Sequence, residues 1–201
     1  ITELCAVRLP NKMGILSDDI QVLSPTRRGE LGTLNLNRQL QKTLNPPDKT
    51  KAEKAFGEAV FRVGDRVMQI KNNYDILWRS EDGKNAGSGI YNGDIGNIIA
   101  VDTVNENLTV NFDGRIVTYG FDSLMELEHA WAMTVHKSQG SEYRAVILAL
   151  STSSRLLLTR SVLYTAVTRA KNLLIIIGED ETAYQMIDNS KRSNRYSALR
   201  V

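Results

Sequence analysis

Three segments of the chain carry polar side chains whose types and spacing could form a ligand site. The densest is residues 131–142, WAMTVHKSQGSE, where a short strand predicted to end near Val135 runs into one polar turn. That turn offers hydroxyl, imidazole, ammonium and amide groups in succession, from Thr134, His136, Lys137, Ser138 and Gln139, before Gly140. So many hydrogen-bonding groups between two apolar strands favour a site over the alternative, a polar loop with a capping serine.

A second segment, residues 20–29 (IQVLSPTRRG), is an apolar strand that runs out into Arg27 and Arg28. Ligands in open α/β sheets bind outside the carboxyl ends of the strands, which is where these two arginines are expected. Taken alone, the segment is better explained as a solvated charge pair after a strand.

The third segment, residues 163–171 (LYTAVTRAK), belongs to a predicted amphipathic helix. The polar stripe opposite its apolar face contains Ser161, Thr165, Thr168 and Arg169. Arg169 is either a ligand-binding cation or an ordinary surface charge, and the helical pattern favours neither.

Several kinds of chemistry are excluded by what the sequence lacks. It contains no GxxxxGK[ST], so the chain cannot by itself cradle nucleotide phosphates as a P-loop does. No carboxylate is obviously placed to orient His136 towards Ser138 as a serine triad requires. One cysteine, Cys5, and two histidines make a zinc cluster or a structural metal implausible.

Composition narrows the class of protein further. The chain has 201 residues, 42% of them hydrophobic, which is enough for one domain or two small ones. No apolar run approaches the roughly 20 residues of a membrane-spanning helix, so we expect a soluble, cytoplasmic protein without a membrane partner. The net charge of +2 does not by itself indicate nucleic-acid binding. The abrupt start at Ile1 favours a fragment of a longer protein.

The outer parts of the chain have the pattern of an α/β fold. Short apolar runs at Ile20–Leu23, Ala145–Leu150 and Leu173–Ile177 are typical of strands buried on both faces. Helical spacing over residues 159–172 and 182–189 supplies the connecting elements. This order predicts a parallel sheet with crossover helices.

The middle of the chain instead alternates short segments with glycine and asparagine. The predicted strands are Asp65–Ile70, Asp94–Val101, Leu108–Phe112 and Arg115–Tyr119, with Asp113 and Gly114 as a hairpin turn. We therefore predict a small antiparallel barrel at residues 61–124, inserted between residues 1–60 and 125–201 of one α/β domain. A flexible loop is expected at Gly83–Gly89 and a connecting segment at Asn45–Lys54.

Together and in this order, the three polar segments resemble the carboxyl-terminal part of RecD-type helicases of superfamily 1. The stretches VLSPTRRGELG, TVHKSQGSEY and LYTAVTRAK are similar to helicase motifs four, five and six. In the middle, DRVMQIKNNYD, YNGDIG and the FDGR hairpin resemble the Src-homology-3-like barrel that this family inserts in its second motor domain. The resemblance covers residues 20–178 and implies a RecA-like parallel sheet carrying that barrel.

The resemblance implies a role in ATP hydrolysis for a first group of residues. Family members clamp ATP with Mg²⁺ between two RecA-like domains, and the first domain, which this chain lacks, brings the Walker lysine and the magnesium carboxylate. Arg169 of motif six then neutralises charge on the transferred phosphoryl group, assisted by Arg28 or Arg27 of motif four. The motif-five residues implied at the nucleotide edge are Gln139, Gly140 and Glu142.

A second group is implied to contact DNA. Thr134 and His136 can donate to phosphate oxygens, with Lys137 and Ser138 beside them. On the barrel, Asn73 and Tyr74 offer polar and aromatic groups to unpaired bases, with plain packing as the alternative for the barrel aromatics. The implied partners are single strands or duplex junctions, the amino-terminal motor domain of the same protein and exonuclease V-type subunits, with movement mostly 5′ to 3′.

Two other functions stay open at this point. One is the helicase part of a conjugative relaxase, whose motifs are similar. The other is a non-catalytic nucleic-acid-binding module that uses the barrel and motif five without ATP, which leaves Arg169 and the arginine pair without a purpose.

Overall fold

The structure, a computed structural model, describes residues 1–151 and 157–189. Its helices are α1 (Leu9–Met13), which continues a π-helical stretch at Leu4–Arg8, α2 (Thr33–Leu44), α3 (Arg160–Val167) and α4 (Asp180–Asp188), with 3₁₀ turns at Ser17–Asp19 and Phe121–Glu126. In the part of the chain that the structure describes, no helix combines the length and apolar character that a membrane crossing needs.

The strands, in chain order, are β1 (Ile20–Ser24), β2 (Glu53–Phe56), β3 (Ala59–Arg62), β4 (Arg66–Gln69), β5 (Asn73–Ser80), β6 (Ala86–Ile90), β7 (Ile95–Asp102), β8 (Asn107–Phe112), β9 (Arg115–Gly120), β10 (Leu127–His129), β11 (Ala132–Thr134), β12 (Tyr143–Ala149) and β13 (Ala170–Ile177).

The outer parts of the chain form a parallel sheet with the strand order β11-β1-β12-β13. Its register pairs Ser24 with Thr134 and Ile20 with Ala145, so the strands share a common carboxyl edge and a common amino edge. One apolar cluster packs α1 and α2 on one face of the sheet, and another packs α3 and α4 on the other. Every residue of β1 is buried between them. The predicted α/β fold is therefore confirmed.

The middle of the chain forms an antiparallel sheet with the order β10-β4-β7-β8-β9-β5-β6. The predicted hairpin turn is present, because Phe112 pairs with Arg115 while Asp113 and Gly114 have positive φ angles of 50° and 85°. The β2-β3 hairpin packs on the same core through Phe61. Antiparallel strands thus extend on both sides of the predicted range 61–124.

A buried polar network joins the antiparallel unit to helix α2. The fully buried Asp65 carboxylate accepts hydrogen bonds from Gln41 Nε2 at 2.6 Å, Asn45 Nδ2 at 2.7 Å and the Arg62 N–H at 2.8 Å. His129 Nε2 lies 3.2 Å from the same carboxylate. Because a buried carboxylate without partners is strongly unfavourable, this network fixes the position of the antiparallel unit on helix α2.

The predicted loop at Gly83–Gly89 differs from the structure. Its second half belongs to β6, which pairs with β5. A Cβ added to Gly87 would lie 2.6 Å from Trp78 Cζ2, so this glycine allows the strand to approach an indole ring closely. Gly87 is therefore required for close packing against Trp78, and the prediction of a flexible loop is wrong for this half of the segment.

Two other element boundaries also differ. The helix predicted over residues 159–172 ends at Val167, because Ala170 already pairs with Tyr143 as the first residue of β13. Helix α2 at Thr33–Leu44 was not predicted, nor was strand β2, which begins at Glu53 inside the predicted connecting segment.

Candidate functional site

The carboxyl edge of the parallel sheet gathers the arginine pair and the first half of motif five. The Val135 N–H donates to Ser24 O at 3.1 Å where β1 and β11 end side by side. Arg27 and Arg28 follow β1 and are exposed, and His136 follows β11 and is exposed too. This is the edge at which the sequence placed them.

The turn after β11 separates a side chain that faces solvent from one that holds the turn together. His136 is exposed, whereas Ser138 is fully buried and its hydroxyl donates to Val135 O at 2.7 Å. Thr134 Oγ1 accepts a hydrogen bond from the Lys137 N–H at 3.4 Å. His136 can therefore meet a ligand directly, while the Ser138 hydroxyl is used inside the turn.

One carboxylate bridges two cations of the carboxyl edge. Glu128, on β10, pairs through one oxygen with Lys137 Nζ at 2.6 Å and through the other with Arg27 Nη2. No local pattern in the sequence indicates Glu128, because Arg27 lies 101 residues away and only the fold brings the two together.

The second half of motif five carries the chain to the opposite, amino edge of the sheet. Gly140 has a φ of 89°, a left-handed conformation that favours glycine. Gln139, Gly140 and Glu142 are exposed, and Glu142 immediately precedes Tyr143, the first residue of β12. Motif five therefore runs from one edge of the sheet to the other.

Arg169 lies at this amino edge, past the end of α3 and just before β13. Its guanidinium donates from Nη1 to Ser141 O at 3.0 Å, from Nε to Thr165 O at 3.2 Å and from Nη2 to Thr168 Oγ1 at 3.1 Å. The Tyr143 N–H donates in turn to Arg169 O at 2.8 Å. Of the five N–H donors of an arginine, one on each terminal nitrogen remains for a bidentate phosphate contact.

The structure does not bring Arg27 and Arg28 to Arg169. The arginine pair follows β1 at the carboxyl edge, whereas Arg169 precedes β13 at the amino edge. The five residues of β1 rise about 13 Å between those edges, and β13 is two strands away from β1. The expectation that Arg28 or Arg27 assists Arg169 at one phosphoryl group does not follow from this placement.

The two barrel residues predicted to contact DNA differ in accessibility. Asn73 faces inward, where its Nδ2 donates to Glu126 Oε2 at 3.0 Å and its Oδ1 accepts from the Ile76 N–H at 3.0 Å. Tyr74 is 63% exposed and meets Tyr91 edge to face, with ring centroids 5.8 Å apart. The Tyr74–Tyr91 pair offers an aromatic surface, and Tyr91, like Glu128, was not among the predicted site residues.

Burial shifts the pKa of two groups beneath the site. Burial raises the pKa of the Tyr143 phenol, whose hydroxyl donates to Met133 Sδ at 3.5 Å. Burial also lowers the pKa of the Arg66 guanidinium, which donates from Nη1 to Ile20 O at 3.2 Å. Tyr143 thus links β12 to β11, and Arg66 links the antiparallel sheet to β1.

The parallel sheet with helices on both faces, joined to the antiparallel sheet, has the architecture of a RecA-like domain that carries a Src-homology-3-like domain. Residues 36–112 match the family model of the ATP-dependent RecD-like DNA helicase SH3 domain. Residues 129–177 match the model of the UvrD-like helicase C-terminal domain. The predicted fold class is thereby confirmed.

Curated relatives extend this match over most of the chain. The ATP-dependent RecD2 DNA helicase of Deinococcus radiodurans is 36% identical over 180 residues, which are 90% of this chain and 23% of that protein. The RecBCD enzyme subunit RecD of Mycolicibacterium smegmatis is 31% identical over 91% of this chain and 29% of its own length. The chain thus carries a RecD-like helicase SH3 domain and a UvrD-like helicase C-terminal domain and is similar to RecD-type helicases over most of its length, while it spans less than a third of the length of these relatives.

Solved structures share the fold. The Pif1 helicase from Bacteroides, crystallised with ADP-AlF3 and single-stranded DNA, superposes with a TM-score of 0.56 and 20% identity over 92% of this chain and 45% of that chain. The Pif1 helicase from Candida albicans gives a TM-score of 0.54 and 18% identity over 92% of this chain and 48% of that chain.

Proposed function

We propose that the chain forms the second motor domain and the inserted barrel of an ATP-dependent DNA helicase that moves 5′ to 3′ on single strands. Its amino edge completes an ATP site on another motor domain, and its carboxyl edge forms part of the DNA track. The observation that carries the proposal is the hydrogen bond from Arg169 to Ser141 O. This bond joins motif six to the end of motif five, whose beginning lies at the opposite edge.

At the amino edge, Arg169 acts as the arginine finger. Phosphoryl transfer spreads negative charge over the γ-phosphate oxygens, and an arginine delivered from across a cleft accelerates it about 10³- to 10⁵-fold. The three hydrogen bonds within the chain hold the guanidinium plane, so little reorganisation is needed when the phosphate arrives. Glu142 accepts from the ribose hydroxyl, while Gln139 and Gly140 line the same edge.

At the carboxyl edge, Thr134, His136 and Lys137 bind phosphates of the DNA strand without reading its sequence. We assign Arg27 and Arg28 to this edge too, because about 13 Å of strand separates them from Arg169. Tyr74 extends the track by stacking with unpaired bases. Asn73 and Ser138 support the track from within, since both side chains are bonded inside the chain.

Residues 134–142 couple the two ligands. One short segment begins among the DNA contacts and ends at Glu142 beside Arg169, so a nucleotide-driven shift at the amino edge is transmitted to the phosphate contacts. The coupling is covalent and crosses a single strand of the sheet, β1.

The remaining ATP-binding groups belong to another motor domain. The sequence has no P-loop motif. Within residues 1–151 and 157–189, no cluster of three or more His, Cys, Asp or Glu side chains is placed to hold a metal ion. The described residues therefore do not fit a Mg²⁺ site, and no step assigned to this chain uses the ion.

The proposal is tested by measuring both the single-strand affinity and the nucleotide affinity of two variants of the full-length helicase. His136→Ala is expected to weaken single-strand binding about fivefold or more and to change nucleotide affinity by less than about twofold, whereas Glu142→Gln should do the reverse. The opposite pattern, or equal effects on both ligands, refutes the assignment of the edges. Unwinding of 3′-tailed but not 5′-tailed duplexes would refute the direction alone.

A further inference from the structure

At the carboxyl edge, two cations and one carboxylate from three different elements form one ion-pair cluster. Arg27 comes from the loop after β1, Lys137 from the turn after β11 and Glu128 from β10 of the antiparallel sheet. Both cations meet the same carboxylate, one on each oxygen. The Lys137 and Glu128 side chains are only 26% and 22% exposed, while Arg27 is 54% exposed.

The charges of this cluster do not balance. Two cations share one carboxylate, which leaves a local charge of +1. Lysine has three donors and arginine five, so most of their donors remain after each has bound Glu128 once. Two cations that flank one oxyanion also have the arrangement that a phosphate diester, with two unesterified oxygens and a single negative charge, would require.

We propose that Arg27 and Lys137 form one phosphate subsite of the DNA track and that Glu128 is an internal competitor for it. Without DNA, the Glu128 carboxylate stands in for a backbone phosphate. When a strand binds, its phosphate takes both cations and the carboxylate turns away, because two anions cannot share the subsite without repulsion. The proposal rests on the assignment of the carboxyl edge to DNA.

This arrangement makes Glu128 a residue that sets DNA affinity. The DNA strand must replace two existing ion pairs, so the binding free energy that it gains at this subsite is smaller than at a cation that faces water. Since Glu128 lies on β10, directly opposite Met68 of β4, the barrel sheet itself carries the competing group. A displacement of the barrel relative to the parallel sheet would therefore change the affinity of the subsite.

The test compares single-strand binding by the full-length protein and its Glu128→Gln variant, using fluorescence anisotropy of an oligo-dT at several salt concentrations. Partly exposed ion pairs are individually weak, so their removal is expected to tighten binding by about two- to tenfold. The slope of log affinity against log salt should change by less than about 0.7, because the same phosphate occupies the subsite in both proteins. Glu58→Gln is the matched control, because it removes the same charge from a side chain that is 95% exposed.

A double-mutant cycle separates competition from a general charge effect. In a Lys137→Met background, the gain from Glu128→Gln should shrink by at least about half, because one of the two released cations is gone. Glu128→Asp keeps the charge on a side chain that is one methylene shorter, which weakens its contact with the two cations, so it should give a smaller gain and an unchanged slope. This second variant keeps the test valid if Glu128→Gln unfolds the protein.

Different outcomes would refute the competition by Glu128 and the assignment of the carboxyl edge to DNA. If Lys137→Met weakens DNA binding while Glu128→Gln leaves it unchanged or weaker, Glu128 is a structural tie between the sheets and the inference is overturned. If neither Lys137→Met nor His136→Ala weakens DNA binding, the carboxyl edge is not the DNA track and the proposed function fails with it. If Glu58→Gln tightens single-strand binding as much as Glu128→Gln does, the effect is due to net charge alone, and the inference is overturned as well.

Discussion

Replacing Arg169 by lysine keeps the charge at the amino edge and removes the fork of the guanidinium. Three N–H groups of Arg169 bind Ser141 O, Thr165 O and Thr168 Oγ1, and two more remain for a ligand. A lysine ammonium has three donors on one nitrogen, so it cannot hold these three acceptors and also present two donors to a phosphate. The variant therefore tests the fork rather than the charge.

The size of the effect follows from the bonds that are lost. Two charge-assisted hydrogen bonds to the transition state, at about 1.5 to 3 kcal/mol each, correspond to a fall in kcat of roughly 10²- to 10⁴-fold. The internal bonds are partly exposed, and their loss should lower the free energy of unfolding by about 1 to 3 kcal/mol. ATP and DNA affinities should change by less than about threefold, because the missing contacts form mainly in the transition state.

The assay is steady-state ATP hydrolysis by the full-length enzyme at saturating DNA, with nucleotide titration and urea unfolding of the same protein. Arg144→Lys is the matched control, since Arg144, the second residue of β12, also lies at the amino edge but pairs with Asp19 at 3.2 Å. Near-wild-type turnover of the Arg169→Lys enzyme would remove Arg169 from the ATP site. Equal losses of turnover and nucleotide affinity would show that the arginine contributes to ground-state binding instead.

The remaining predictions concern the framework and the isolated chain. The 201-residue chain should show no DNA-stimulated ATP hydrolysis, since it lacks a P-loop, and turnover that survives removal of contaminants would contradict this. Asp65→Ala leaves buried donors without an acceptor and should lower the free energy of unfolding, measured by urea titration, by roughly 3 kcal/mol or more. The exposed control Asp75→Ala should change it by less than about 0.5 kcal/mol. Gly87→Ala forces a Cβ against Trp78 and should destabilise the barrel by about 1 to 3 kcal/mol. The near-ultraviolet dichroism of the indole should change as well. Unchanged stability would mean that the ring shifts freely. Burial raises the pKa of the Cys5 thiol from 9.0 to about 11, so iodoacetamide should label the native chain at pH 8 about 100-fold or more slowly than the unfolded chain, and equal rates would show that Cys5 is accessible.

Local patterns in the sequence were sufficient for much of the fold. The strands around Ile147 and Ile175 contain continuous apolar runs, and the hairpin at Asp113 and Gly114 depends on backbone angles that those two residues adopt readily. Such signals need no distant partner, because burial on both faces and a tight turn each restrict composition within a few residues. The fold class and the family resemblance were therefore predictable.

Helix α2 was not predictable in this way, because its buried face is mixed. Asn37 and Gln41 are buried beside Leu36 and Leu40 and interrupt the apolar spacing of a buried helical face. Asn37 Nδ2 donates to Ala132 O at 2.8 Å, and Gln41 reaches the buried Asp65. A polar residue on the buried face of a helix is recognisable only when its partner, here on another element, is known.

The sequence by itself predicted the buried strands, the hairpin and the carboxyl-edge position of the arginine pair, while the tertiary structure decided where Arg169 and Glu128 lie relative to that pair. Motif order along the chain does not distinguish the amino edge from the carboxyl edge, because a strand and its crossover visit both. The parallel register places Arg27 and Arg169 at opposite edges, and the return of the barrel through β10 sets Glu128 between Arg27 and Lys137. These relationships join residues far apart in sequence, and they exist only because the sheet order and the barrel contacts bring those residues within bonding distance.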